Sequence, residues 1–131
     1  LDKINFAKEE YKLKNLNFFC DDVISSKFSK QYDIIILSNI LEHIKDRVNF
    51  LKSLIQNCRP KKFLFRIHDF RRSWYLPLKK EMGLNYFSDA EHFIEPTYEE
   101  FENEINLAGL KIIDSKNVWG EIWSVCIIKP D

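Results

Sequence analysis

The chain has 131 residues, 45% of them apolar and 15% aromatic, and its 20 basic residues are matched by 20 acidic ones. A chain of this size buries roughly 68–70% of the surface it exposes when unfolded, enough for a single core. Zero net charge excludes a strongly basic nucleic-acid module and an acidic solvating tail, and the content of Phe, Ile and Leu excludes intrinsic disorder.

Asp2 reads as the N-cap of a first helix, with Ile4, Ala7 and Tyr11 at helical spacing up to Lys14 and Asn15. Leu16 to Cys20 (LNFFC) is a short apolar run that reads as a strand, closed by Asp21 and Asp22. Val23 to Gln31 is a polar connector with one helical turn. Tyr32 to Ser38 (YDIIILS) is the most strand-like segment, and its unbroken apolar centre predicts burial on both faces by flanking helices. Asp46 caps a second helix carrying Val48, Leu51, Ile55 and Cys58 on one face, stopped by Pro60. Lys62 to His68 (KFLFRIH) is a further strand. Residues 69–96 read as irregular, because Trp74, Tyr75, Pro77, Gly83, Tyr86, Phe87 and Pro96 break any period. Thr97, with Glu100 three residues on, is a capping box for a helix that buries Phe101, Ile105 and Ala108 and ends at Gly109. Two strands close the chain, Leu110 to Asp114 and Ile122 to Ile128, with Asn117 and Gly120 in the turn between them.

Strands alternating with helices predict an α/β fold: a doubly wound, mostly parallel sheet with helices on both faces and a C-terminal antiparallel strand pair. With no repeat and no low-complexity tract, residues 1–131 read as one domain. Cys20, Cys58 and Cys126 are scattered among apolar neighbours without a CxxC pair, so they read as buried free thiols rather than as disulfides or a zinc site. No apolar stretch reaches the ~18–20 residues that span a bilayer, and Leu1-Asp2-Lys3 does not open a signal peptide. A soluble, cytoplasmic chain without a membrane partner is expected. The chain opens at Leu1, without Met and inside a helix start, which points to further residues upstream.

The ordered set of segments resembles a known family. A strand ending in an acid, then YDIIILSNILEHI from Tyr32 to Ile44, then a helix and Arg59-Pro60-Lys61-Lys62 before the next strand is similar to class I S-adenosylmethionine-dependent methyltransferases of the type 11/12 group. The Ala108-Gly109-Leu110 helix end, the closing strand pair and Trp119 to Trp123 (WGEIW) fit as well, so the resemblance runs through essentially the whole chain. The family's glycine-rich GxGxG turn and the acid ending its second strand are missing. Both would lie before Leu1, so the sequence resembles the C-terminal two-thirds of such a domain, with about 60–100 residues expected ahead of it.

The resemblance implies that Asp22 accepts a hydrogen bond from the adenine amino group and that Val23 lies against the adenine ring. Ser38, Asn39 and Leu41, at the exit of the fourth family strand, would lie beside the methionine part and the reacting methyl, at the sheet edge where open α/β folds place their ligands. His43 follows on the next turn beside Glu42, where the two either contribute to catalysis or form a charged pair at a helix start. His68 ends the fifth family strand beside Asp69, and an imidazole next to a carboxylate suits proton abstraction from a hydroxyl or amine. His92 either reaches the acceptor or holds its loop. Eight Lys/Arg between Arg59 and Lys80 face eight acids between Glu81 and Glu104, runs that ordinarily pair with each other. Arg72 beside Trp74, together with Asp69, is the candidate acceptor-binding set, and Trp74, Tyr75, Tyr86, Phe87 and Phe93 within 69–96 suggest a lid rather than a solvated linker.

These readings imply methyl transfer from S-adenosylmethionine to a small-molecule acceptor, without a metal ion, because no metal-ligand spacing is visible. No nucleic acid is expected as partner, and a homodimer is possible. A non-catalytic methyltransferase-like scaffold stays open as an alternative. A nicotinamide-dependent reductase of similar fold is disfavoured, because its Tyr-x-x-x-Lys pair is missing after the strand at 62–68.

Overall fold

The computed structural model describes residues 2–26, 28 and 30–130. In chain order the elements are α1 (Asp2–Glu10), β1 (Ile34–Ser38), a 3-10 turn (Leu41–His43), α2 (Arg47–Cys58), β2 (Lys62–His68) and a second 3-10 turn (Phe70–Arg72). These are followed by α3 (Tyr75–Glu81), α4 (Tyr98–Leu107), β3 (Leu110–Val118) and β4 (Glu121–Ile128). The four strands form one sheet in the order β1-β2-β4-β3. The pair β1/β2 is parallel, whereas β2/β4 and β3/β4 are antiparallel, so the described part of the sheet is mixed.

Alternation along β2 sets the core. Phe63, Phe65 and Ile67 are buried, and the residues between them are half-buried or exposed. Helices α2 and α4 cover that face with Leu51, Leu54, Phe101 and Ile105, and the ring of Phe101 meets Phe65 edge-on at 5.7 Å. Both helices start and stop as the sequence suggests. The Asp46 side chain accepts from the Asn49 backbone, and α2 ends on Arg59 in the left-handed region just before Pro60. At α4 both halves of the Thr97/Glu100 capping box are present, and Gly109 at φ 87° carries the chain away. Arg47 ties the two helices together through Glu104, with both its hydrogen bonds at 2.7 Å or less.

The opposite face of the sheet carries Ile36, Leu64, Arg66, Trp123 and Val125 around a concavity of about 350 Å³. Ile34 and Ile36 of β1 are 50% and 66% exposed. The expectation that β1 is buried on both faces is therefore corrected: an apolar run specifies surface to be covered, and among the described residues only α2 and α4 do the covering, on one side. The strand expected at Leu16–Cys20 is likewise absent. Among the described residues that run pairs with no strand, Phe19 is 80% exposed, and Cys20 is an exposed thiol while Cys58 and Cys126 are buried as expected. Helix α1 stops at Glu10, short of Lys14, and buries no side chain.

Further boundaries differ. Strand β1 begins at Ile34 rather than Tyr32, and β3 runs on through Asn117 to Val118. The closing hairpin thus turns on only two residues, Trp119 and Gly120, with φ of 52° and 76°. Positive φ at both central positions matches the twist of the flanking strands. Residues 69–96 are not wholly irregular: they hold α3, anchored by Leu76, which is 1% exposed. The connector at 23–31 contains one turn, in which the Ser26 N–H donates to the Asp22 carbonyl; its Lys27 and Ser29 lie outside the described residues.

Candidate functional site

The carboxyl ends of β1 and β2 lie side by side, and each leads into a tight turn. Ser38 closes β1, and Asn39 adopts φ 51°, a conformation Asn tolerates better than most residues. The Asn39 N–H donates to the Arg66 carbonyl at 2.8 Å, while its side-chain Oδ1 is buried with no hydrogen-bond partner among the described residues. The 3-10 turn then places Leu41 in the hydrophobic core, Glu42 beneath the surface at 1% exposure, and His43 half-buried above it.

Residues 88–96 fold over this edge and are stitched to both strand exits. The Phe93 N–H donates to the Glu42 carbonyl at 2.8 Å, and the Phe70 N–H donates to the Pro96 carbonyl at 2.8 Å. This brings His92 and Glu95 against residues from the other two turns. The His92 Nδ1 lies 2.9 Å from Glu95 Oε1, Arg72 Nη2 lies 3.4 Å from Glu95 Oε2, and the rings of His43 and His92 meet edge-on at 4.7 Å. His68, ending β2, has its ring centroid 6.0 Å from that of His92. The three histidines, expected to be catalytic from separate motifs, are thus one cluster.

Its electrostatics follow from burial and charge. Burial holds the Glu42 carboxyl above its usual range, and both its oxygens lack a hydrogen-bond partner among the described residues. The contact nearest to an ion pair is His68 Nε2 at 3.9 Å. Burial, seconded by the Arg72 charge, pushes His68 below the usual imidazole value and keeps it neutral at pH 7. Glu95 is equally buried, and burial alone would raise it. Hydrogen bonds from Ser88 and His92, together with Arg72, outweigh that and hold it low. Glu121, across the hairpin, is held low by two hydrogen bonds from Arg66, each of 2.7 Å.

The carboxylate that faces His68 is not Asp69. Asp69 points into its own turn, where Oδ1 accepts from the Arg71 N–H and Oδ2 from Asn117, so it caps a turn instead of orienting the imidazole. Glu42 and Glu121 occupy that role, with His68 Nδ1 3.6 Å from Glu121 Oε1. Arg72 joins the cluster through Glu95; Trp74 does not, being 79% exposed and stacked edge-on only with Tyr75. The opposed charge runs do pair, through Arg71 with Glu99 and Arg72 with Glu95. Glu95 and Glu121 were missed as site residues. The spacing His92-x-x-Glu95 is readable in the sequence, whereas nothing local connects Glu121 to His68.

On the other flank, Asp22 is exposed and bonded to its own turn, accepting from the Ile24 N–H at 3.0 Å and the Ser25 hydroxyl at 2.9 Å. These bonds hold its carboxyl below the usual range. Val23 lines an apolar hollow of about 310 Å³ with Phe28, Ile35, Ile40 and Leu54, beside the free edge of β1.

No family model matches the sequence, and no curated protein matches it. Solved structures do. A S-adenosylmethionine-dependent methyltransferase from Clostridium acetobutylicum superposes with TM-score 0.69 at 14% identity, over 98% of this chain and 72% of its own. The magnesium protoporphyrin IX methyltransferase ChlM of Synechocystis, solved with bound S-adenosylhomocysteine, gives 0.66 at 13% identity, over 95% and 57%. TnmH gives 0.69 at 15% identity, over 98% and 40%. The chain therefore has the class I S-adenosylmethionine-dependent methyltransferase fold, and it spans between 40% and 72% of the length of these three neighbours. No helix among the described residues is long and apolar enough to cross a membrane.

Proposed function

We propose that the protein transfers the methyl group of S-adenosylmethionine to a small-molecule acceptor bearing an oxygen or nitrogen nucleophile. The observation that carries this reading is the convergence of Glu42, His43, His68 and His92 at the carboxyl edge of two parallel strands in a methyltransferase fold, the edge at which open α/β sheets hold ligands. The residues fit the cofactor: the orphaned Oδ1 of Asn39 is a waiting acceptor, and the hollow lined by Val23 and Phe28 suits an adenine ring.

When bound, S-adenosylmethionine would supply a methyl group activated by its sulfonium, toward which the acceptor's oxygen or nitrogen would be the nucleophile. Asn39 and Val23 would hold the cofactor, with Ser38 alongside. Leu41 supports the turn from the core. His68, neutral at pH 7, takes the proton lost by the acceptor. Residues 69–96, carrying Arg72 and His92, cover the acceptor and exclude water, with Trp74 at the rim. Alignment of two bound reactants is worth about 7–11 kcal/mol of barrier, and a positioned base adds roughly 10²–10⁴-fold.

Calorimetry of the full-length protein with S-adenosylhomocysteine tests the reading. Binding is expected, Asp22→Ala should weaken it about tenfold through the lost adenine hydrogen bond, and His68→Ala should lower turnover while leaving affinity unchanged. A full-length protein that binds neither cofactor nor product overturns the proposal.

A further inference from the structure

We propose that Glu42, His43 and His92 form a binding site for a divalent transition-metal cation of the Zn²⁺ or Co²⁺ type. One donor atom from each of the three lies within 4.8 Å of the other two, although His92 is far along the chain from the Glu42-His43 pair. Proximity alone would not make a site; the state of each donor does.

Glu42 is 1% exposed, and neither of its oxygens has a hydrogen-bond partner among the described residues. A buried carboxylate is strongly disfavoured unless it is paired or coordinates a metal. The His68 Nε2, at 3.9 Å, is too far to satisfy it by hydrogen bonding. Each imidazole, by contrast, is already held through Nδ1. His43 Nδ1 lies 3.3 Å from the Glu91 carbonyl, and His92 Nδ1 lies 2.9 Å from the Glu95 carboxylate. Both partners are acceptor oxygens, so in the neutral ring the hydrogen sits on Nδ1 and the Nε2 lone pair is available to a cation. This is how metal-binding histidines are oriented, by a carboxylate or a carbonyl behind the ring.

The set is also preorganised. The bond from the Phe93 N–H to the Glu42 carbonyl locks the two chain segments together next to all three donors. Glu95, which backs His92, is itself anchored by Ser88 and Arg72. Two imidazoles and one carboxylate favour the zinc and cobalt class over Mg²⁺ or Ca²⁺, which prefer oxygen throughout. Three protein ligands leave a coordination position open for water or for an oxygen or nitrogen of a bound molecule. The cation would sit at the same sheet edge as the proposed methyl-transfer site, but the proposal does not rest on that reading, and its test reads binding rather than turnover.

The chain has three histidines, so imidazole nitrogen NMR signals can be followed one by one during Zn²⁺ titration of the wild-type protein. One equivalent should displace the Nε2 signals of His43 and His92 while the nitrogens of His68 keep their uncoordinated shifts. By calorimetry a single site is expected, and Glu42→Gln and His92→Ala should each weaken it about tenfold or more. Signals of His43 and His92 that do not move at millimolar Zn²⁺, or Glu42→Gln binding as tightly as wild type, would overturn the proposal. The titration on the wild type decides the matter even where a variant fails to fold.

Discussion

Replacing Glu42 by Met should make the metal-free protein more stable, although Glu42 is among its most buried residues. Met has nearly the same length and is unbranched, so it fills the same space without a carboxyl. The gain comes from two oxygens that are buried and unpartnered, each such group costing about 1–3 kcal/mol. Part of this is already recovered through the weak contact with His68 at 3.9 Å, so we expect a net stabilisation of about 1–3 kcal/mol. With an unfolding entropy of about 2.1 cal/mol/K per residue, each ~1 kcal/mol moves the Tm of a chain of this size by about 4 °C. Calorimetric melting in the presence of a chelator should therefore place Glu42→Met about 4–12 °C above wild type. Glu42→Gln, which leaves polar atoms in the same place, should gain less. A Glu42→Met protein that melts at or below wild type in chelator would refute the reasoning, because it would mean that the carboxyl is satisfied within the fold. Added Zn²⁺ should raise the Tm of wild type but not that of the variant.

Arg66→Met should lower stability at pH 7, since the pair with Glu121 has two-pronged geometry although the Arg is partly exposed. Glu121 is held below its usual range, so this stabilisation is present above the unfolded carboxyl value near ~4.3 and lost as pH falls through the folded value; chemical denaturation at pH 7 and pH 3 should show the gap closing in acid, and a constant gap would sink the argument. Gly120→Ala should destabilise by about 2 kcal/mol or more, because the residue has φ 76° and a Cβ there would run into the side chain of Arg72; an unchanged denaturation midpoint would contradict this. Thr97→Ala should cost about 1 kcal/mol through the lost cap of α4, measured in urea.

Much of the fold was legible because its signals are local. The Thr97/Glu100 box, the Asp46 cap, the stop at Pro60 and the left-handed Gly109 each act within one helical turn, so no distant contact could override them. The alternation of β2 and the order of strands and helices likewise depend only on neighbours in sequence. What a strand meets is a different matter. YDIIILS announces apolar surface without saying which face is covered, and LNFFC announces a strand that finds no ladder among the described residues. The site divides the same way. His43, His68 and His92 could be picked out one at a time as basic side chains near strand ends. That Glu42 lies beneath them without a hydrogen-bond partner among the described residues, that Glu95 rather than solvent backs His92, and that Glu121 rather than Asp69 faces His68 are products of three turns meeting at one sheet edge. Distances between residues tens of positions apart are set by strand register and loop closure, and no periodicity in a linear sequence encodes them.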